Sequence, residues 1–250
     1  MMPTRNLLAV VFLFGLPSLA CAGQLEGDYL YKVTTIRAAP GTLADLLDWE
    51  ARLAASEYFE EAGQEHPLLM RHSQGDQWDL LVIVPMQSWS DYHSLAATQK
   101  RASASHKYAE LIAEGQDFFA FYEDQFAYGP PWSDLKAAYA AHGFYHIEMF
   151  EAAPGKAREL VKQRRMENAY LAATGQTPNM IFRRAAGSDV DVFTIGFHQS
   201  FEAFAAPASV SDEQKELAAR AAGFKGLPDI SFYLRSLISG HRDTLAVKAP

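Results

Sequence analysis

The chain has 250 residues, 49% of them apolar, 12% aromatic and 21% charged, enough apolar material for one large core or two small ones. That composition excludes disordered, collagenous and polytopic membrane classes. A formal charge of -8 with no long Lys/Arg run leaves nucleic acid without an electrostatic footprint to bind.

Arg5 precedes an apolar stretch from Leu7 to Leu16, which Pro17 ends, and Ala20-Cys21-Ala22 follows. Charge, apolar run and small-residue pattern are those of a cleaved secretory leader over residues 1–22. A membrane anchor needs roughly 20 apolar residues, so the mature chain is expected to be periplasmic or secreted and free of the membrane. Cleavage would also remove the single cysteine, and with it any disulfide, thiolate nucleophile or thiolate metal site.

Downstream the sequence repeats. Tyr31 and Ala39-Pro40-Gly41 recur as Tyr145 and Ala153-Pro154-Gly155, an offset of 114. At an offset of 112, Gly63-Gln64, Arg71, Gly75, Asp79 and Gln87-Ser88-Trp89 recur as Gly175-Gln176, Arg183, Gly187, Asp191 and Gln199-Ser200-Phe201. Preserved order and spacing mark a duplication. The join falls at Gly129-Pro130-Pro131, with Ser133 or Asp134 expected to cap a following helix, dividing the chain into modules 23–129 and 130–250.

Taken in order, residues 28–37 read as a strand rich in Tyr, Val, Ile and Thr. The Ala-Pro-Gly turn leads to a helix over 42–62 that closes at Gly63. Strands over 68–74 and 78–86 then pair about Gly75-Asp76, and a helical region opens at Trp89. Phe118, Phe119, Phe121, Tyr122, Phe126, Tyr128 and Trp132 form the densest aromatic cluster. Its near-helical spacing suits a core, an interdomain seam or the roof of an apolar pocket. The second module repeats the order with strands over 144–151, 179–185 and 190–198, a helix over 156–174 and a helical start at Phe201. The fold class expected is α+β, two tandem ferredoxin-like βαββα modules packed sheet to sheet as an intrachain α+β barrel.

Two such units, each with an aromatic just after the third strand (Trp89, Phe201), resemble the dimeric α+β barrel superfamily, with its antibiotic-biosynthesis monooxygenase-like and NIPSNAP-like families. The resemblance spans residues 28 to about 239. It implies a cavity between sheets for a small apolar or aromatic molecule, with haem in some branches.

Strand parity nominates the lining. If Phe193, Ile195 and Phe197 face the helices, Val192, Thr194, Gly196 and His198 face the cavity, as do His146, Glu148 and Phe150 on the first strand of the second module. The first module would contribute Lys32, Thr34 and Ile36, and Trp78, Leu80, Val82, Val84 and Met86. The first and third strands should lie side by side, bringing His146 beside His198 with Glu148 one pleat along. Two imidazoles and a carboxylate suit general acid–base chemistry or a facial metal triad. Arg71 and Arg183 either hold a substrate anion or pair with Asp79 and Asp191 across their hairpins.

His146, Glu148, Arg183 and His198 are thus the candidate catalytic residues, and Lys32, Arg71, Trp78, Met86 and Phe150 the candidate ligand contacts. The expected function is an exported protein binding a small apolar or aromatic ligand, with cofactor-independent oxygenation or isomerisation as its chemistry. The alternatives are a non-catalytic binding or assembly module, and a haem or metal protein with His146 or His198 as axial ligand. The cofactor stays unknown and a homodimer stays open. Hydrolase elbows, phosphate loops, dinucleotide glycine patterns and His-Glu-x-x-His are absent, which removes those chemistries.

Overall fold

The computed structural model describes residues 23–249; the leader expected over 1–22 lies outside the described residues. In chain order the elements are β1 (Tyr29–Ala38), α1 (Leu43–Ala55), α2 (Tyr58–Glu61), β2 (Leu68–Gln74), β3 (Leu80–Gln87), α3 (Trp89–Tyr92), α4 (Leu95–Lys107), α5 (Ala109–Gln116) and β4 (Phe119–Gly129). There follow α6 (Trp132–Ala141), β5 (Phe144–Ala152), α7 (Ala157–Ala173), β6 (Met180–Ala186), β7 (Val192–His198), α8 (Phe201–Ala205), α9 (Asp212–Ala221), α10 (Asp229–Arg235) and β8 (Ile238–Lys248).

The repeat motifs are turn and cap chemistry. Gly41 and Gly155 sit at φ 87° and 77° after the first strands, and Gly63 and Gly175 at 66° and 73° after the helices, conformations that suit glycine. Ser88 and Ser200 cap α3 and α8 by accepting from the backbone N–H of Asp91 and Ala203. Asp79 and Asp191 accept from the backbone N–H of Ala38 and Ala152, both at 2.8 Å. Their carboxylates therefore finish the ends of β1 and β5 and do not pair with Arg71 and Arg183. Asp134 does not cap α6 but takes the N–H of Gln24 at 2.9 Å.

Each module carries one strand more than expected. The aromatic stretch forms β4 as far as Gly129, and β8 closes the second module. The eight antiparallel strands form one closed barrel in the order β1-β3-β2-β8-β5-β7-β6-β4. The modules meet at the β2–β8 and β4–β6 seams, so the barrel is completed within one chain.

Tyr31, Val33, Met70, Leu81, Ile83, Tyr145, Ile147, Phe182, Phe193, Ile195 and Phe197 come together in a single buried cluster fed by strands all round the barrel. These side chains fill the interior, as they can in an eight-stranded barrel. Phe182 stacks on Phe193 at 4.4 Å, while the phenols of Tyr31 and Tyr145 donate to the carbonyls of Pro130 and His142. Leu135 of α6, with Trp132 and Tyr139, joins the same cluster.

The expected parity is therefore reversed. Phe193, Ile195 and Phe197 face the barrel interior, and His146, Glu148, Thr194 and His198 lie on the outer face beneath the helices. There Phe150 and Val192 pack against Leu160 and Val161 of α7, and in the first module Ile36, Leu80 and Val82 pack against Leu46, Trp49 and Leu53 of α1. Side chains occupy the interior where the inter-sheet cavity was expected; the cavity that holds the histidines lies between sheet and helices.

Candidate functional site

The pairing of β5 with β7 sets Phe144 opposite His198, His146 opposite Gly196 and Glu148 opposite Thr194. His146, His198 and Glu148 thus come together as expected. They line a cavity of about 350 Å³ with Glu167 and Leu171 of α7, Asn179 and Phe204. Both imidazoles pack on the Phe204 ring, with centroids 4.9 and 5.3 Å away.

Gly196 leaves the gap between them. A Cβ there would stand 2.7 Å from Asn179 Oδ1 and 2.9 Å from His198 Nε2, closer than atoms pack. Asn179 is fixed in turn: its N–H donates to Asn168 Oδ1 at 2.8 Å and its carbonyl accepts from Asn168 Nδ2 at 2.7 Å.

Beneath the cavity lies a charged cluster of which the sequence offers only His146 and Glu148. Arg164 of α7, 2% exposed, donates from Nη1 to Glu148 Oε2 at 3.2 Å and from Nε to Gln163 Oε1 at 2.7 Å, and pairs with Glu167. Thr194 donates to the same Glu148 oxygen at 3.2 Å. His241 of β8 lies 3.5 Å from Glu148 Oε1 and stacks on Phe150 at 4.7 Å. His146 Nε2 donates to Asp243 Oδ1 at 2.6 Å. Arg164, Glu167, His241 and Asp243 went unnominated because α7 reads as a mixed polar helix and β8 was not foreseen as a strand.

Burial pushes the Glu148 carboxyl up, but the His241 contact and the charges of Arg164 and His146 overcome it and hold the group at about 2. Burial raises Glu167; Arg164 opposes this and the Glu148 charge adds to it. Burial also lowers His146, but Asp243 and Glu148 outweigh it and the net direction is upward. His198 moves down, through burial and then through the charges of His146 and His142.

The other nominated residues lie elsewhere. Arg183 bonds to Asp28 and to the Gly27 carbonyl at 3.1 Å. Lys32 stands 3.6 Å from Asp124, Trp78 is in the barrel core and donates to Asp76, and Met86 is buried in the first module. Arg71 sits on β2 opposite Leu80 and Val247. Phe150 is wholly buried beneath Arg164. None of these lines the histidine cavity.

The repeat explains the cavity's place in the second module. By the same offsets, Trp49, Leu53, Val82, Val84 and Met86 of the first module correspond to Gln163, Glu167, Thr194, Gly196 and His198 of the second. Where one copy packs apolar side chains between α1 and the sheet, the other carries polar groups around open volume.

A closed barrel of two α+β halves, each sheathed in helices, defines the dimeric α+β barrel fold, here contained in a single chain. No family model and no curated protein matches the sequence. Among solved structures, an anthrone oxidase-like protein superposes with a TM-score of 0.56 at 12% identity, over 90% of this chain and 93% of that one. A chlorite dismutase variant from Candidatus Nitrospira defluvii gives 0.48 at 13% identity, over 90% and 92%. A candidate monooxygenase from Lactobacillus acidophilus NCFM gives 0.47 at 8% identity, over 90% and 95%. At these identities the likeness is one of fold.

Proposed function

We propose that the chain binds a small planar organic molecule in the helix-side cavity of its second module, and that His198 accepts a proton from it in chemistry of oxygenase or isomerase type. The observation that carries this reading is the exchange, across the repeat, of a packed apolar layer for a polar cavity with two imidazoles on its wall. Its volume is at the lower end of small-molecule sites, Phe204 offers a ring face, and Asn179, Gln176 and Thr177 offer polar contacts.

In this mechanism the ligand's acidic C–H or phenolic O–H gives its proton to the His198 imidazole, and the anion left behind lies beside His146. Glu148 is not the base, because Arg164 and Thr194 hold it, and Arg183 is too occupied with Asp28 to stabilise the anion. The fold likeness to an anthrone oxidase-like protein suits oxygenase-type chemistry. The family reading remains the antibiotic-biosynthesis monooxygenase-like and NIPSNAP-like resemblance. The cavity fits haem poorly: at about 350 Å³ it is small for a porphyrin, and no step is derived through that group. The leader pattern over residues 5–22 supports export, checked by N-terminal sequencing of the recovered protein.

The test is a thermal-shift and fluorescence screen of hydroxylated aromatic compounds against wild-type protein and His198→Gln, followed by product analysis of any binder. Binding that is lost or turnover that stops in the variant supports the reading. Equal binding and turnover in both proteins overturns it.

A further inference from the structure

We propose that His146, Glu148 and Asp243 form a site for one divalent first-row metal ion at the edge of the cavity. The inference rests on the reading above only for the use of the cavity. It adds an electrophile beside the bound molecule.

Three features of the geometry carry it. The β5–β8 register sets Glu148 directly opposite Asp243, and His146 lies two residues away on the same face. One ligand atom from each of the three lies within 4.8 Å of the others. At metal–ligand distances of about 2.1 Å, such a set needs only a side-chain adjustment to share one ion. His146 Nε2 and Asp243 Oδ1 are 2.6 Å apart, joined by one hydrogen that an ion taken up between them would displace.

The two oxygens of Glu148 are used unequally. Arg164 and Thr194 both take Oε2, at 3.2 Å each, which orients the carboxylate. Oε1 has only His241, at 3.5 Å, and is the oxygen left for an ion. Such outer contacts orient a ligating carboxylate.

Charge points the same way. Glu148 and Glu167 share the one Arg164 guanidinium and Asp243 adds a third carboxyl beside Glu148, so a dication offsets the excess negative charge of the ionised cluster. One imidazole and two carboxylates suit Mn²⁺, Fe²⁺ or Zn²⁺. Three protein ligands leave positions open toward the cavity for water or the bound molecule.

The experiment titrates chelator-treated full-length mature protein with Mn²⁺ by calorimetry and with Co²⁺ by visible absorption, with melting temperatures recorded for each variant. Wild type should take up one ion per chain. Asp243→Asn and His146→Gln should each bind at least about tenfold more weakly, and His198→Gln should bind the metal as wild type does. No saturable uptake by wild type up to about 1 mM metal, or undiminished uptake by both ligand variants, overturns the inference. Aromatic binding by metal-free protein with no metal uptake removes the metal site and leaves the functional reading standing. Metal uptake with no aromatic ligand does the reverse.

Discussion

Gly196 lies directly across the β5–β7 ladder from His146, and the missing side chain separates His146 from His198. Gly196→Ala should therefore press on Asn179 and His198 and weaken ligand binding while the barrel persists. Gly196→Val, which restores the residue type of Val84 in the first copy, should abolish binding. Ligand titration alongside far-ultraviolet circular dichroism checks both; undiminished affinity in the valine variant contradicts the cavity assignment.

Replacement of Phe182 by alanine should behave in the opposite way. Phe182 is fully buried in the barrel interior against Tyr31 and Phe193, so its truncation should cost about 3–5 kcal/mol of stability. Ligand affinity of the remaining folded protein should hold, because the cavity lies on the other face of the sheet. Chemical denaturation and ligand titration of the same sample separate the two effects.

Arg164 answers two buried carboxylates. Arg164→Met keeps much of the volume but strands Glu148 and Glu167, and the expected loss is about 3–5 kcal/mol near neutral pH. Adding Glu148→Gln and Glu167→Gln should recover most of it. A denaturation series on the single and triple variants reads this directly.

A pH dependence resides in the first module, at the repeat position equivalent to Arg164. Glu50 is buried, and burial alone raises its carboxyl from 4.5 to about 7. In that interval the folded chain holds a proton that the unfolded chain has released, so stability falls as pH rises from about 4.5 to about 7 and then levels. Glu50→Gln should remove that slope and stabilise the protein at pH 8 by about 3 kcal/mol. Melting curves at pH 5 and pH 8 test the sign: the gain should be large at the higher pH and small at the lower.

Much of this architecture could be read from the chain. The Ala-Pro-Gly turns, the glycine helix stops and the Gln-Ser-aromatic starts mark fixed backbone events, and their recurrence located six of the eight strands. β4 escaped because Phe118, Phe119, Phe121 and Tyr122 satisfy a helical spacing as well as an alternating one. β8 escaped because His241, Arg242 and Asp243 look like a solvated turn. Which face of the sheet points inward is not legible in the chain, for a different reason. Both faces are covered, by barrel packing on one side and helices on the other, so apolar residues occur at both parities and alternation does not say which faces which. His146, Glu148 and His198 were nonetheless recognisable, since polar residues of one parity interrupt apolar strands. Arg164 and Asp243 were not, because only tertiary pairing brings them there.

The last strand has a consequence for how the molecule is completed. β8 lies between β5 of its own module and β2 of the other, so until it docks, two strand edges stay open at once. Barrel closure joins residues 238–248 to strands formed far earlier, contacts of high sequence separation that slow folding. A nascent or truncated chain lacking residues 238–248 exposes an unpaired edge on each module, the geometry that invites pairing between molecules. The duplication closes the barrel within one chain and makes the docking of β8 the vulnerable step of assembly.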